Sequence, residues 1–226
     1  MHLKRKLFAM PVFYLIWKLP VYLPQTKNRY KMKSSKEKMI AGIPYIDTDG
    51  QLFKERQYAK EELKRFNDSE PKQIKFRKQI IQKLFKTTGT RFFLEPPFRC
   101  DYGYNISIGE NFYSNYNCTI LDGAPVTIGE NVLFGPNVSL FTAGHPIYFE
   151  TRNQGWEFSA PIVIEDNVWI GGQVVVNPGV RIGRNAVIGS GSVVTKDIPA
   201  DVIAAGNPCR VIRPITAADH IDYTSL

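Results

Sequence analysis

The chain of 226 residues has little of what builds metal clusters or covalent frameworks, with three cysteines and three histidines. Cys100, Cys118 and Cys209 lie too far apart for a disulfide framework, and no Cys-x-x-Cys occurs. His2, His145 and His220 would have to converge from both ends and the middle to bind zinc, so no metal site is expected. A long apolar run is also missing. The stretch from Leu7 to Leu23 is broken by Pro11, Lys18 and Pro20, and it falls short of the roughly 20 apolar residues that span a bilayer. Acidic residues are absent from the first 33 positions, which hold eight Lys or Arg, so residues 34–226 carry 21 basic and 21 acidic groups. The net charge of +8 therefore belongs to an N-terminal arm, and a uniformly basic body built to coat nucleic acid is excluded as the default.

Residues 1–33 admit three readings. They can be a surface-packed extension, even an upstream start before Met32. They can be a weak membrane contact, with Phe8, Phe13, Tyr14 and Trp17 at the acyl boundary and the cations at the headgroups. A signal peptide shares the pattern of a basic start before an apolar run, but no small-x-small cleavage site follows. Asn-x-Ser/Thr sites at Asn67, Asn105, Asn117 and Asn137 would meet the glycosylation machinery on a eukaryotic secretory route. The expected location is the cytoplasm.

Residues 34–94 read as a small helical domain. Ala59, Leu63 and Phe66 share one helical face, and Ile74, Lys78, Ile81 and Phe85 continue a stripe broken by the lysine. Asp68-Ser69-Glu70-Pro71 marks a stop and restart, with Pro71 expected in the first turn of the next helix. From residue 95 to 213 the periodicity changes. Ile164, Ile170, Val176, Ile182, Ile188 and Val194 recur every six residues without a slip, and Ile108, Ser114, Ile120 and Ile128, Phe134, Leu140 follow the same phase. A period of six fits neither a helix nor a single strand. It suits short strands joined by tight corners, with one side chain per hexad directed inward and Gly or Asn at the corners. Three such sides make an 18-residue coil of a triangular prism, and Gly123-Ala124-Pro125 stretches one coil to 20 residues. Leu140 and Ile164 are 24 positions apart where a hexad needs six, so residues 141–161 leave the prism as a loop, with His145 near its start. Residues 214–226 form a tail.

Further motifs accompany the hexads: Glu95-Pro96-Pro97-Phe98 with Asp101-Tyr102-Gly103, then Asn111-Phe112-Tyr113-Ser114-Asn115, Thr142-Ala143-Gly144-His145-Pro146, Asn167-Val168-Trp169-Ile170-Gly171-Gly172 and Asn207-Pro208-Cys209-Arg210. In this ordered set, over about residues 33–213, the chain resembles the hexapeptide-repeat acyltransferases, and most closely the maltose, galactoside and nodulation-type O-acetyltransferases. The resemblance implies a mainly β fold, a left-handed parallel β-helix preceded by a small helical subdomain. It also implies a homotrimer with sites between subunits, using acetyl-CoA to acetylate a hydroxyl of a sugar or related small molecule.

In that family His145 would be the general base, taking the acceptor's proton while the hydroxyl attacks the thioester directly, without an acyl-enzyme. The backbone N–H of Gly172 would face the oxyanion, and Asn115 would orient the reacting groups. Asp47, Asp101, Tyr113, Asn115 and Asp122 match acceptor-binding positions. Trp169, Gly172, Ser190, Thr195, Lys196 and Arg210 match positions along the coenzyme groove. Glu157 and Gly123 depart from the galactoside enzymes and leave the acceptor open. Rival readings are an acetyltransferase of antibiotic or other xenobiotic hydroxyls, which usually lacks the helical domain, and a non-catalytic hexapeptide scaffold, which has no need of His145. Cys100 and Cys118 lie near the acceptor positions, but no sequence feature marks either as an activated nucleophile. A γ-type carbonic anhydrase would need several prism histidines.

Overall fold

The computed structural model describes residues 34–225. The three readings of the arm fall outside them. Ser34 accepts the N–H of Glu37 while the Glu37 carboxylate accepts the N–H of Ser34, a reciprocal cap that starts helix α1 (Ser35–Ile40). Asp49 caps α2 (Gly50–Asn67) by accepting from Gln51 and Leu52, and α2 buries Leu52, Ala59, Leu63 and Phe66 on one face. Helix α3 (Ile74–Leu84) begins after Gln73, so Pro71 sits in the turn before the helix and not in its first turn. Its buried stripe is Arg77, Ile80, Ile81 and Leu84, while Ile74 is exposed. Arg77 is inward because its guanidinium secures the interhelical turn, donating to Ser69 Oγ at 2.7 Å and to the Glu70 carbonyl at 2.9 Å.

The remainder is a parallel solenoid of three faces. One stacks Ile106–Ile108, Val126–Ile128, Ile162–Ile164 and Arg181–Ile182, and a second stacks Phe98–Cys100, Cys118–Leu121, Ser139–Phe141, Val175–Val176 and Val193–Val194. The third runs from Phe92–Leu94 to Val202–Ala205 and is closed by the antiparallel strand Arg210–Pro214. Hexad residues stack in register, Ile128 on Ile164 on Ile182, Phe134 on Ile170 on Ile188, and Leu140 on Val176 on Val194. Each hexad fills the interior with two side chains where the period suggested one. Val168, Val174, Val180 and Ala186 are as buried as the aliphatics two residues after them. The cause is strand alternation, which returns residue i−2 to the face of residue i before the corner turns. At about 1.5–3 kcal/mol for each large aliphatic side chain fully buried, these columns are the main source of stability.

Each corner has its own chemistry. Between the first and third faces, Asn111, Asn131, Asn167, Asn185 and Asp201 all take positive φ near 60°. Their side chains bond from coil to coil, Asn111 to Asn131 at 2.8 Å, Asn131 to Asn167 at 3.1 Å, Asn167 to Asn185 at 3.0 Å and Asn185 to Asp201 at 2.6 Å. Between the third and second faces, Gly172 and Gly191 stack above Pro136. At the remaining corner the chain extrudes its loops. Coil spacing there is 20 residues twice, Cys100 to Ile120 and Ile108 to Ile128, so a second two-residue expansion at 101–105 lies beneath the one at 121–125. No helix among the described residues is long and apolar enough to cross a membrane.

Candidate active site

The largest extrusion carries His145. Strands Ala143–Gly144 and Trp156–Ser159 form its antiparallel stem, and α4 (Phe149–Asn153) crosses its tip. A side chain at Gly144 would come within 2.8 Å of the Phe158 ring, so only glycine lets the stem close immediately before His145. The helical domain adds a third strand: Tyr45–Ile46 pairs antiparallel with Trp156–Ser159, placing Tyr45 opposite Glu157 and Ile46 opposite Trp156. Two further bonds fasten the join, Ser159 Oγ to the Met39 carbonyl at 2.9 Å and the Asp47 N–H to the Gly155 carbonyl at 3.2 Å.

His145 has half of its side chain exposed. Its Nδ1 lies 3.4 Å from the Trp156 carbonyl, which only accepts, so Nδ1 is the nitrogen placed to donate there. Nε2 lies 3.7 Å from Glu157 Oε2. The other Glu157 oxygen accepts from the hydroxyl of Tyr45, which is itself buried. Burial pushes the Glu157 carboxyl up, against the opposing pull of the Tyr45 hydroxyl and His145. Burial and the facing carboxylate hold the Tyr45 hydroxyl far above the ordinary phenol range.

Arg56, on α2, donates to the Tyr102 hydroxyl at 2.7 Å and to the Asp47 carbonyl at 3.0 Å. Burial raises the Asp101 carboxyl, with Arg56 and Lys60 pulling it back. Asp47 Oδ1 is buried without a hydrogen-bond partner among the described residues, the mark of a group that expects a ligand donor. Asp47, Asp101, Arg56, Tyr102, Glu157 and His145 thus form one charged cluster at this corner. Carboxylates, a cation and phenols suit a polyhydroxylated molecule, whose hydroxyls both donate and accept.

Asp122 plays a different part from the acceptor contact expected of it. It is fully buried, and its carboxylate accepts the N–H groups of Asp101 at 3.0 Å, Tyr102 at 2.8 Å and Asn105 at 3.4 Å. It pins one expanded corner onto the other and presents Asp101 and Tyr102 from beneath. Its carboxyl is pushed up to about 7, chiefly by burial.

The other predicted positions lie elsewhere on the prism. Asn115, Gly172, Ser190 and Arg210 occupy the corner between the third and second faces, while Tyr113 and Trp169 point outward from the third face, Tyr113 stacked on Phe93 and Trp169 54% exposed. Thr195 and Lys196 stand at the His145 corner, two coils further along. An added side chain at Gly172 would press within 3.2 Å of Pro136, and the Gly172 N–H donates no hydrogen bond among the described residues. An open amide at the same corner as the Arg210 cation, with an exposed indole on the adjoining face, fits a thioester with a phosphate-bearing handle. Sequence reasoning missed Arg56, Tyr45 and Tyr102. Arg56 reads as part of a solvated helix face, and Tyr45 acquires its role only through pairing with a strand 112 residues away.

A parallel triangular solenoid with a single long extruded loop, a histidine on that loop and a helical cap joined to it defines a hexapeptide-repeat transferase. Residues 38–89 match the maltose acetyltransferase hexapeptide capping motif, residues 161–196 the bacterial transferase hexapeptide of six repeats, and residues 125–144 the hexapeptide repeat of succinyl-transferase. The chain is 50% identical to the galactoside O-acetyltransferase of Escherichia coli over 83% of its own length and 92% of that protein. A maltose O-acetyltransferase from Clostridium difficile superimposes with a TM-score of 0.81 at 49% identity, covering 81% of this chain and 98% of the other. A galactoside acetyltransferase in complex with coenzyme A gives a TM-score of 0.81 at 48% identity, covering 85% and 96%. The chain belongs to the maltose and galactoside O-acetyltransferase family of hexapeptide-repeat proteins.

Proposed function

We propose that this protein transfers an acetyl group from acetyl-CoA to a hydroxyl of a sugar or closely related molecule, with His145 as general base. The observation that carries the reading is the His145 imidazole, whose Nδ1 faces the Trp156 carbonyl while Nε2 lies 3.7 Å from Glu157, a carboxylate that also feels Asp47 and Asp101. The acetyl thioester supplies an activated carbonyl. His145 Nε2 takes the acceptor's proton as the hydroxyl attacks, Asn115 aligns the reacting groups, and the Gly172 N–H faces the charge that develops on the carbonyl oxygen. Trp169, Ser190, Thr195, Lys196 and Arg210 hold the coenzyme, and Asp47, Asp101 and Tyr113 hold the acceptor.

His145 and Gly172 occupy different corners of one chain, and in this reading a three-fold assembly brings the corner of one subunit to that of the next. The working unit in this reading is a homotrimer with each site shared between two subunits. The reading places the protein in the cytoplasm, where coenzyme A thioesters are available.

The test is thiol release from acetyl-CoA over a panel of sugars and antibiotic alcohols, with wild type and His145→Ala. Release on sugars by the wild type and its loss by at least a hundredfold in the variant is the expected result. Equal release from both proteins overturns the role of His145, and release on antibiotic alcohols alone overturns the acceptor class.

A further inference from the structure

The His145 base faces a carboxylate that general-base chemistry as stated above does not use. Glu157 Oε2 lies 3.7 Å from Nε2, the nitrogen that must receive the proton, and the other oxygen is held by the buried Tyr45 hydroxyl. The Glu157 side chain is 15% exposed, against 50% for His145, so the carboxylate stands on the protein side of the ring and leaves the solvent side for an acceptor. Its position is over-determined. Glu157 and Tyr45 are register partners in the strand pair that joins the helical domain to the loop, so the backbone fixes both ends of the hydrogen bond.

We propose that Glu157 is a positioning residue for His145, and that Tyr45, reaching from the helical domain, holds it in place. This rests on the role proposed above for His145. A proton arriving at Nε2 creates an imidazolium directly opposite a fixed negative charge, so the charge pair forms only as the reaction proceeds.

The surrounding groups set the balance. His145 comes from the loop itself, Tyr45 and Asp47 from the strand of the helical domain and the residue after it, Arg56 from α2, and Asp101 and Tyr102 from the expanded corner. Asp47 and Asp101 add negative potential, and Arg56 is the one permanent cation among these groups. Arg56 is already engaged by Tyr102 and the Asp47 carbonyl, which leaves Glu157 free to act on the ring.

Glu157→Gln separates the charge from the scaffold, because the amide oxygen can still accept from Tyr45. The variant is expected to keep the wild-type melting midpoint, to lose roughly tenfold in kcat and to move the acidic limb of the kcat/KM profile to lower pH. Tyr45→Phe is expected to give a smaller loss of kcat in the same direction, with the limb less displaced. Unchanged kcat and an unmoved limb in Glu157→Gln overturn the proposal. So does a rise in acceptor KM with kcat and the limb unaltered, which makes Glu157 an acceptor contact. His145→Ala is measured in parallel: if it is inactive while Glu157→Gln matches wild type, only the role of Glu157 fails, and if it is fully active the reading of His145 fails with it.

Discussion

The asparagine ladder allows backbone and side-chain contributions to be separated by experiment. Asn167 is an inner rung with φ of 58°, accepting from Asn131 at 3.1 Å and donating to Asn185 at 3.0 Å. Replacing it with alanine removes both bonds and places a residue without local hydrogen-bonding capacity in the left-handed region. Two exposed bonds at the low end of the usual range are worth about 1 kcal/mol together, and the backbone penalty adds about 1 kcal/mol. Asn167→Ala should therefore cost about 2 kcal/mol, or a drop of about 4–8 °C in the melting midpoint for a chain of this size. Glycine tolerates the same φ, so Asn167→Gly should cost about half as much, the lost bonds remaining and the backbone penalty being relieved. Asn111 begins the ladder and makes one bond within it, so Asn111→Ala should fall between the two. Melting followed by circular dichroism on the three variants reads the order directly. An alanine variant as stable as the glycine variant refutes the backbone share, and three variants indistinguishable from wild type refute the ladder.

Two further outcomes follow from the site. Asp122 has a folded pKa near 7 against an ordinary 3.8, so the folded state holds its proton more tightly than the unfolded chain. The associated stability is present below about pH 4 and is lost as pH rises towards 7. Asp122→Asn removes that slope, so unfolding free energies at pH 5 and pH 8 should show wild type losing on the order of 2 kcal/mol more than the variant across the interval; parallel losses refute the assignment. Trp169→Ala removes a largely exposed side chain and should leave the melting midpoint within about 2 °C while raising the KM for acetyl-CoA several-fold, and an unchanged KM removes Trp169 from the coenzyme groove.

The solenoid was legible because its signal is local and repeated. Each hexad states its own inward residue, and the Gly or Asn expected at tight corners is found there, with Asn111, Asn131, Asn167 and Asn185 all at positive φ. Expansion at 121–125 was visible as a broken interval, whereas the equal expansion at 101–105 precedes the clear repeats and could not be counted. Pro71 misled because its tolerance at a helix start does not require a helix to start there, and the bonds of Arg77 to Ser69 and Glu70 fixed the turn instead. His145 stood out as a lone histidine on an extruded loop. Its surroundings did not, since Tyr45, Arg56 and Glu157 meet through long-range pairing that no spacing encodes. Asp122 carried the residue type of a sugar ligand but not its exposure, and only burial distinguishes the two roles.

The in-register columns also set the unit in which this molecule can change length. Ile164 and Ile182 are successive positions on one face, 18 residues apart, so a duplicated coil would restore every pairing above and below it. Shorter insertions within a strand would turn each later side chain onto the wrong face, whereas the loop corner takes them up, as it does the two extra residues at 101–105 and at 121–125. Even a full coil is acceptable only in certain places. Added beyond Val202–Ala205, it lengthens the prism and leaves the histidine loop at its original height relative to Gly172. Added between the coil of Leu140 and that of Val176, it separates the two by about 4.8 Å along the axis, far beyond the roughly 1 Å misplacement that already costs a hundredfold in rate. Growth of the prism walls is thus quantised, and forbidden across the single step between the loop and the glycine corner.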